Sequence, residues 1–298
     1  MNNSTSQLVG DSFRVGYRFQ NHWDTAMANA FFCGELGGGT FLVSLLNDFV
    51  PGMLLGLLLT GVGKTWFHLS HMGVPRRSWR AIARPDRSWI SRGLASIVVF
   101  VGAGSIHLLD VAFGNFLPGV LGSLITLVAA LAALVVCTYQ GFAMSHSTAL
   151  PLWSSAIMPV SSLLYAVTGG TMLVLLLGSS SLGDASIARL HDVALMLLLA
   201  DTIMLLSLLH GAHNGSPGAR LSAELLLKTL FAREFLGLVV VTGIVVPALL
   251  LWLAGSAFLS VLLAAIGVLL GFYTFRVLMF KAAVYEPIMS FKPSAGPR

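Results

Sequence analysis

The chain has 298 residues, of which 56% are hydrophobic and 10% charged, with a formal net charge of +5 and a mean hydropathy of +0.86. Soluble domains carry about 25% charged residues, so these values exclude an ordinary soluble fold and indicate an integral membrane protein. The two cysteines, Cys33 and Cys137, fall inside apolar stretches, and neither a disulfide framework nor a cluster-binding motif is present.

Met1–Asp24 is polar and lacks the basic and apolar regions of a signal peptide, so it reads as a retained tail. The apolar runs that follow reach about 20 residues or more without period-2 alternation, which predicts helices rather than a barrel. The expected fold is an all-α polytopic bundle of about eight transmembrane helices. They are placed at Thr25–Leu46, Pro51–His71, Trp89–Asp110, Phe116–Phe142, Ala149–Leu177, Leu190–His213, Phe235–Leu253 and Ala257–Ala282. Only Ala254–Gly255–Ser256 divides the last two, which leaves one long span as the alternative. Residues 283–298 form a polar tail. With no repeat and no long linker, a single domain is expected.

In the first helix, Gly34, Gly37, Gly38 and Gly39 have the spacing that lets two helix backbones approach closely. Glu35 in that helix and Asp201 in the sixth fall near the bilayer midplane, where charge is costly. Each is either part of a proton route or a protonated acid hydrogen-bonded between helices. In the second helix, Gly61, Lys64, His68 and His71 are spaced by three, four and three residues. At about 100° per residue they form one polar stripe, which lines a cavity or meets polar groups on a neighbour. The alternative for a histidine at a helix C-terminus is simple complementation of the dipole.

With eight spans, nearly all Lys and Arg lie at one end, here the basic face, together with both termini. The opposite, acidic face has Arg189 as its loop cation against Asp48, Asp110, Asp184 and Asp192. The positive-inside rule makes the basic face cytoplasmic and the membrane the inner one. Basic loops that dock an acidic partner on the outer face are the competing explanation. The run Arg76, Arg77, Arg80, Arg84 and Arg87 is expected to contact a partner, anionic lipid, or both. Trp79 and Trp89 read as interfacial anchors.

Three elements follow one another here: Gly61–Val62–Gly63–Lys64, then His71–Met72–Gly73–Val74–Pro75, then Arg84–Pro85–Asp86–Arg87–Ser88–Trp89–Ile90–Ser91–Arg92–Gly93. In order and spacing this segment resembles the junction of the second and third helices in the NrfD/PsrC/DmsC family, the membrane anchor subunits of molybdopterin oxidoreductases. That family reads GxGKP, HLGRP and an SWISRG-like element. The chain departs from it at Thr65, Met72 and Val74. The resemblance implies a quinone-reactive anchor that passes electrons between menaquinone or ubiquinone and a ferredoxin-like iron–sulfur subunit, itself joined to a molybdopterin catalytic subunit. No haem, no iron–sulfur cluster on this chain and no nucleic-acid partner are expected. His71 corresponds to the family histidine implicated in quinone binding. Lys64 and His68 share its stripe, and Asn21, His22 and Tyr139 match the regions that supply further polar groups.

Quinol chemistry needs a group that bonds a quinone oxygen and takes a proton near neutral pH, which suits histidine. The ring and tail need an apolar slot. Arg92 either bonds a carbonyl there or snorkels to the interface. Two alternatives stay open. A haem b anchor would use His68 or His71 with His210 or His213 from a facing helix. A secondary transporter would use helices broken at Pro159 and Pro247.

Overall fold

The computed structural model describes residues 16–286; the remainders of the two polar tails, residues 1–15 and 287–298, lie outside the described residues. Eight long helices cross the bundle: α1 (Thr25–Leu45), α2 (Val50–His71), α3 (Trp89–Ala112), α4 (Gly119–Ser145), α5 (Ile157–Leu177), α6 (Asp184–His213), α8 (Ala232–Ala254) and α9 (Phe258–Lys281). A short helix, α7 (Pro217–Leu227), lies between α6 and α8, and a 3₁₀ segment, Pro75–Ile82, lies between α2 and α3. Seven of the eight long helices are apolar enough to cross a membrane on composition alone; α1 is the exception.

Local chemistry moves several boundaries from their expected places. Pro118 precedes the first turn of α4, so that helix starts at Gly119 rather than Phe116. Residues 149–156, with Pro151, Ser154 and Ser155, form turns, and α5 starts only at Ile157. The α6 helix starts at Asp184, which puts an acid at its positive end and brings Arg189 into the helix. Pro159 falls in the first turn of α5, and Pro247 opens the second half of α8, so neither proline breaks its helix. The last two spans are separate, because Gly255 at φ +59° turns the chain between them.

Two stretches, Leu59–Lys64 in α2 and Phe235–Val245 in α8, are π-helical. The Thr242 hydroxyl in the second bonds the Gly237 carbonyl five residues back, in keeping with the wider turn. In α2 the wider turn divides the expected stripe. Gly61 faces Val101 of α3, whereas the Lys64 side chain turns to Gly34 of α1.

The α1 helix is the axis of the bundle and packs on α2, α4, α5 and α9. Its glycines make this possible. A Cβ on Gly39 would sit 1.8 Å from the Ala166 carbonyl oxygen of α5, and one on Gly37 would sit 2.7 Å from the Gly56 carbonyl oxygen of α2. Gly34 is different, because it faces the Lys64 side chain. Leucines and valines such as Val98, Val120, Leu199 and Leu206 cover the outside, as lipid contact requires. The two ends of the described chain meet in a two-stranded antiparallel ribbon, β1 (Arg18–Phe19) with β2 (Val284–Tyr285). The two ends of the described chain therefore lie on one side of the bundle.

Candidate functional site: a cavity beneath the arginine segment

Five of the six residues of the Ser88–Gly93 element have separate local contacts. The Ser88 side chain caps α3 by accepting the Ser91 N–H. Trp89 stacks on Phe142 of α4 at 4.3 Å and 11°, and the Arg92 guanidinium lies 4.4 Å from the Trp89 ring centroid. Ser91 Oγ donates to the Ala81 carbonyl, while Arg92 Nε and Nη2 donate to the carbonyls of Pro85 and Asp86 at 2.7 and 3.1 Å. Gly93 admits the Tyr139 ring, since a Cβ there would lie 2.1 Å from it. The element thus fastens the arginine-bearing segment to α3 and α4, and Arg92 is committed to that loop.

The segment fastened in this way carries both the arginines and part of a cavity wall. Arg76, Arg77, Arg80, Arg84 and Arg87 are all exposed, with Arg87 Nε donating to Asp86 at 3.1 Å. Ser78, Trp79 and Ile82 form one wall of a cavity of about 340 Å³ whose other walls are α2 and α3, with Trp79 itself 65% exposed. Leu69, Met72, Leu94 and Ile97 make it largely apolar, and Lys64, Thr65, His68 and Ser78 supply its polar groups. His68 Nδ1 is buried there without a hydrogen-bond partner. An orphaned ring nitrogen in an apolar slot fits a flat ligand that carries a carbonyl or hydroxyl oxygen.

Beneath the cavity, Lys64 is fully buried and Nζ donates to the Ala30 carbonyl at 3.1 Å and to Gln140 Oε1 at 2.6 Å. Gln140 Nε2 in turn donates to the Phe31 carbonyl at 3.2 Å. The ammonium lies 5.1 Å from the centre of the Tyr139 ring and 5.5 Å from that of Phe31. The Tyr139 hydroxyl is buried without a partner, so Tyr139 flanks the lysine through its ring.

His71 does not line this cavity. One turn nearer the surface, its Nδ1 is 3.0 Å from Asp24 Oδ1, the same oxygen that caps α1 by accepting the Met27 N–H. Burial works to raise the Asp24 pKa, yet the Met27 N–H and the neighbouring His71 hold it below the ordinary carboxylate value. Asn21 lines a separate cavity of about 220 Å³ beside Asp24 and Lys281, and the His22 ring meets Tyr285 edge-on at 6.5 Å. Neither residue lines the His68 cavity.

The two midplane acids are separated. Glu35 Oε2 accepts from Arg276 Nε of α9 at 2.7 Å, with both side chains fully buried. Arg276 Nη2 donates to Ser162 of α5 at 3.0 Å. Asp201 Oδ2 accepts from Thr168 of α5 at 2.8 Å, which joins α6 to α5 through a separate hydrogen bond. Arg276 and Gln140 belong to no recognisable motif. The available signal for Arg276 is its place inside an apolar helix, where a cation calls for a partner of opposite charge.

Comparison with protein families gives a match over residues 46–281 to the DMSO reductase anchor subunit (DmsC). None of the curated proteins compared with the chain matches it.

Proposed function

Because the chain belongs to the DMSO reductase anchor subunit (DmsC) family, the membrane anchors of molybdopterin enzymes, we propose that it also exchanges electrons with quinone, in the cavity beneath the arginine segment. The observation that carries this is the double role of Pro75–Ile82. Its residues Ser78, Trp79 and Ile82 wall the cavity, and exposed arginines of the same segment offer an acid-complementary docking surface. A quinone placed there lies close to whatever docks on those arginines, here the ferredoxin-like iron–sulfur subunit that leads to the molybdopterin subunit.

Bound quinol supplies two electrons and two protons. The apolar walls and the Trp79 side chain orient its ring, and His68 Nδ1 bonds one of its oxygens. Lys64, held by Gln140 and the Ala30 carbonyl, keeps positive potential at the cavity floor. His71, one turn nearer the surface and paired with Asp24, passes the proton on. Arg92 acts by holding the lid, through its bonds to Pro85 and Asp86. The charge asymmetry supports a cytoplasmic basic face in the inner membrane.

A haem b anchor needs two histidines on facing helices. His68 and His71 sit on α2, which packs on α1 and α3, whereas His210 and His213 sit on α6, which packs on α5, α7 and α8. That arrangement supports the haem-free reading. The test is His68→Ala in the assembled complex. Quinol-linked turnover is expected to fall by about 10²-fold, the lower range for a positioned proton-transfer group, while turnover with an artificial soluble donor persists. Quinol turnover that survives the substitution overturns the assignment.

A further inference from the structure

At the acidic face, remote from the quinone cavity, a groove of about 590 Å³ runs between the end of α3 and the start of α4. Two of its polar residues are more than nine-tenths buried: His107 is 9% exposed and Asp110 6%. Their hydrogen bonds define what the groove can accept. The Thr126 hydroxyl lies 2.9 Å from the Gly122 carbonyl and 2.9 Å from His107 Nδ1; with the hydroxyl donating to the carbonyl, the ring donates from Nδ1. Nδ1 then carries the proton, and Nε2, which is buried and has no partner, is a bare acceptor. Asp110 Oδ1 accepts the Leu117 N–H at 2.8 Å, which fixes the carboxylate in place. Its Oδ2 lies against Gly122, and no Lys or Arg pairs with Asp110 among the described residues.

The groove therefore presents two acceptors, one of them an acid, and wants a cation with N–H bonds to give. A second feature lies beside them. The α4 helix begins at Gly119, in the groove, with no side chain capping it, so its first-turn N–H groups are left for an anion. Acceptors for an ammonium next to donors for a phosphate match a zwitterionic head group. Depth agrees, because Asp110 is in the last turn of α3, at head-group level, while Leu127 and Ala130 continue the groove as apolar wall toward the bilayer centre.

We propose that the α3–α4 groove binds a phospholipid with a primary-amine head group, a phosphatidylethanolamine, with its ammonium on His107 Nε2 and Asp110 Oδ2 and its phosphate at the start of α4. A phosphatidylcholine has the same charges but no N–H to donate, so the two lipids separate the proposal from general lipid adhesion.

The test is native mass spectrometry of the full chain in its complex, delipidated in mild detergent and offered phosphatidylethanolamine and phosphatidylcholine of matched acyl chains. Phosphatidylethanolamine is expected to be retained about tenfold better, the scale of one hydrogen bond to a charged group. Asp110→Asn keeps the acceptor for Leu117 but removes the charge, and His107→Phe keeps ring volume but removes the acceptor; each is expected to abolish the preference. Equal retention of the two lipids overturns the proposal, as does a preference that survives both substitutions. Displacement of the lipid by a short-chain quinol at equal concentration assigns the acceptors to quinol instead, and also overturns it. The head-group comparison on the unaltered chain stands even if a variant fails to fold.

Discussion

The Glu35–Arg276 pair allows the sharpest test of how the bundle is held. Both side chains are fully buried, the ion pair is 2.7 Å, and Glu35 Oε1 has no further hydrogen-bond partner. Arg276→Met would strand that carboxylate in an apolar interior, at a cost of about 3–5 kcal/mol, the range for breaking a buried pair by removing one member. Glu35→Leu would strand the guanidinium, with only Ser162 Oγ and the weak acceptor Met144 Sδ left to it. The double variant removes both charges and should lie within about 2 kcal/mol of the parent, because the paired desolvation cost disappears with them. At about 2–4 °C per kcal/mol, each single change should lower the unfolding midpoint in detergent by roughly 10 °C, and the double change by only a few degrees. Single effects that simply add in the double variant would refute the pairing. Turnover is the second readout: a double variant that regains stability and keeps quinol turnover removes Glu35 from any proton route, and one that regains stability but loses turnover places it there.

The pairing of Asp24 with His71 should be visible in pH dependence. Since the folded-state pKa of Asp24 is depressed, its contribution to stability is present above the ordinary carboxylate value of 3.8 and is lost as pH falls through the lower folded value. Asp24→Asn keeps the N-cap of α1 but loses the charge. It should leave the unfolding midpoint within about 0.5 kcal/mol while shifting the pH profile of quinol turnover; an unshifted profile removes Asp24 from the relay. Gly39→Ala puts a Cβ 1.8 Å from the Ala166 carbonyl oxygen, a backbone atom that cannot swing away. It should cost about 1–3 kcal/mol in unfolding measurements, whereas Gly102→Ala, with open space around its Cβ, should cost nothing measurable. Gly93→Ala would drive into the Tyr139 ring and should weaken quinol affinity by loosening the lid, read as a raised KM with artificial-donor turnover unchanged.

The helix bundle of about eight spans and the arginine-bearing junction were legible in the sequence, because each rests on a run of residues long enough to carry its own signal. What was not legible depends on backbone turns that composition does not encode. The spacing of Gly61, Lys64, His68 and His71 fits one stripe only for a regular α-helix, and the π-helical turn at Leu59–Lys64 sends Gly61 to α3 and Lys64 to α1. The same holds for the two histidines: sequence treats His68 and His71 as neighbours on one face, whereas His68 enters the cavity and His71 meets Asp24 from the start of α1. Arg92 reads from sequence as a cation near a quinone, yet the carbonyls that hold it belong to Pro85 and Asp86, in a turn whose shape no periodicity predicts.

The position of α1 explains why the one long helix not apolar enough to be placed across a membrane by composition is also the central one. A helix that faces lipid must be apolar around its circumference, but α1 meets protein on several sides, from α2, α4, α5 and α9. It can therefore give up leucines for glycines, which bring the Gly39 backbone against Ala166, and can carry Glu35, whose charge is answered by Arg276 rather than by water. Another glycine of the same run, Gly34, faces α2 instead and leaves the space that the Lys64 stem occupies. Close packing at the axis and a buried cation under the cavity floor are thus two consequences of one choice of small residues. Filling Gly34 should displace Lys64 from Gln140, and so reach the cavity without touching any residue that lines it apart from Lys64 itself.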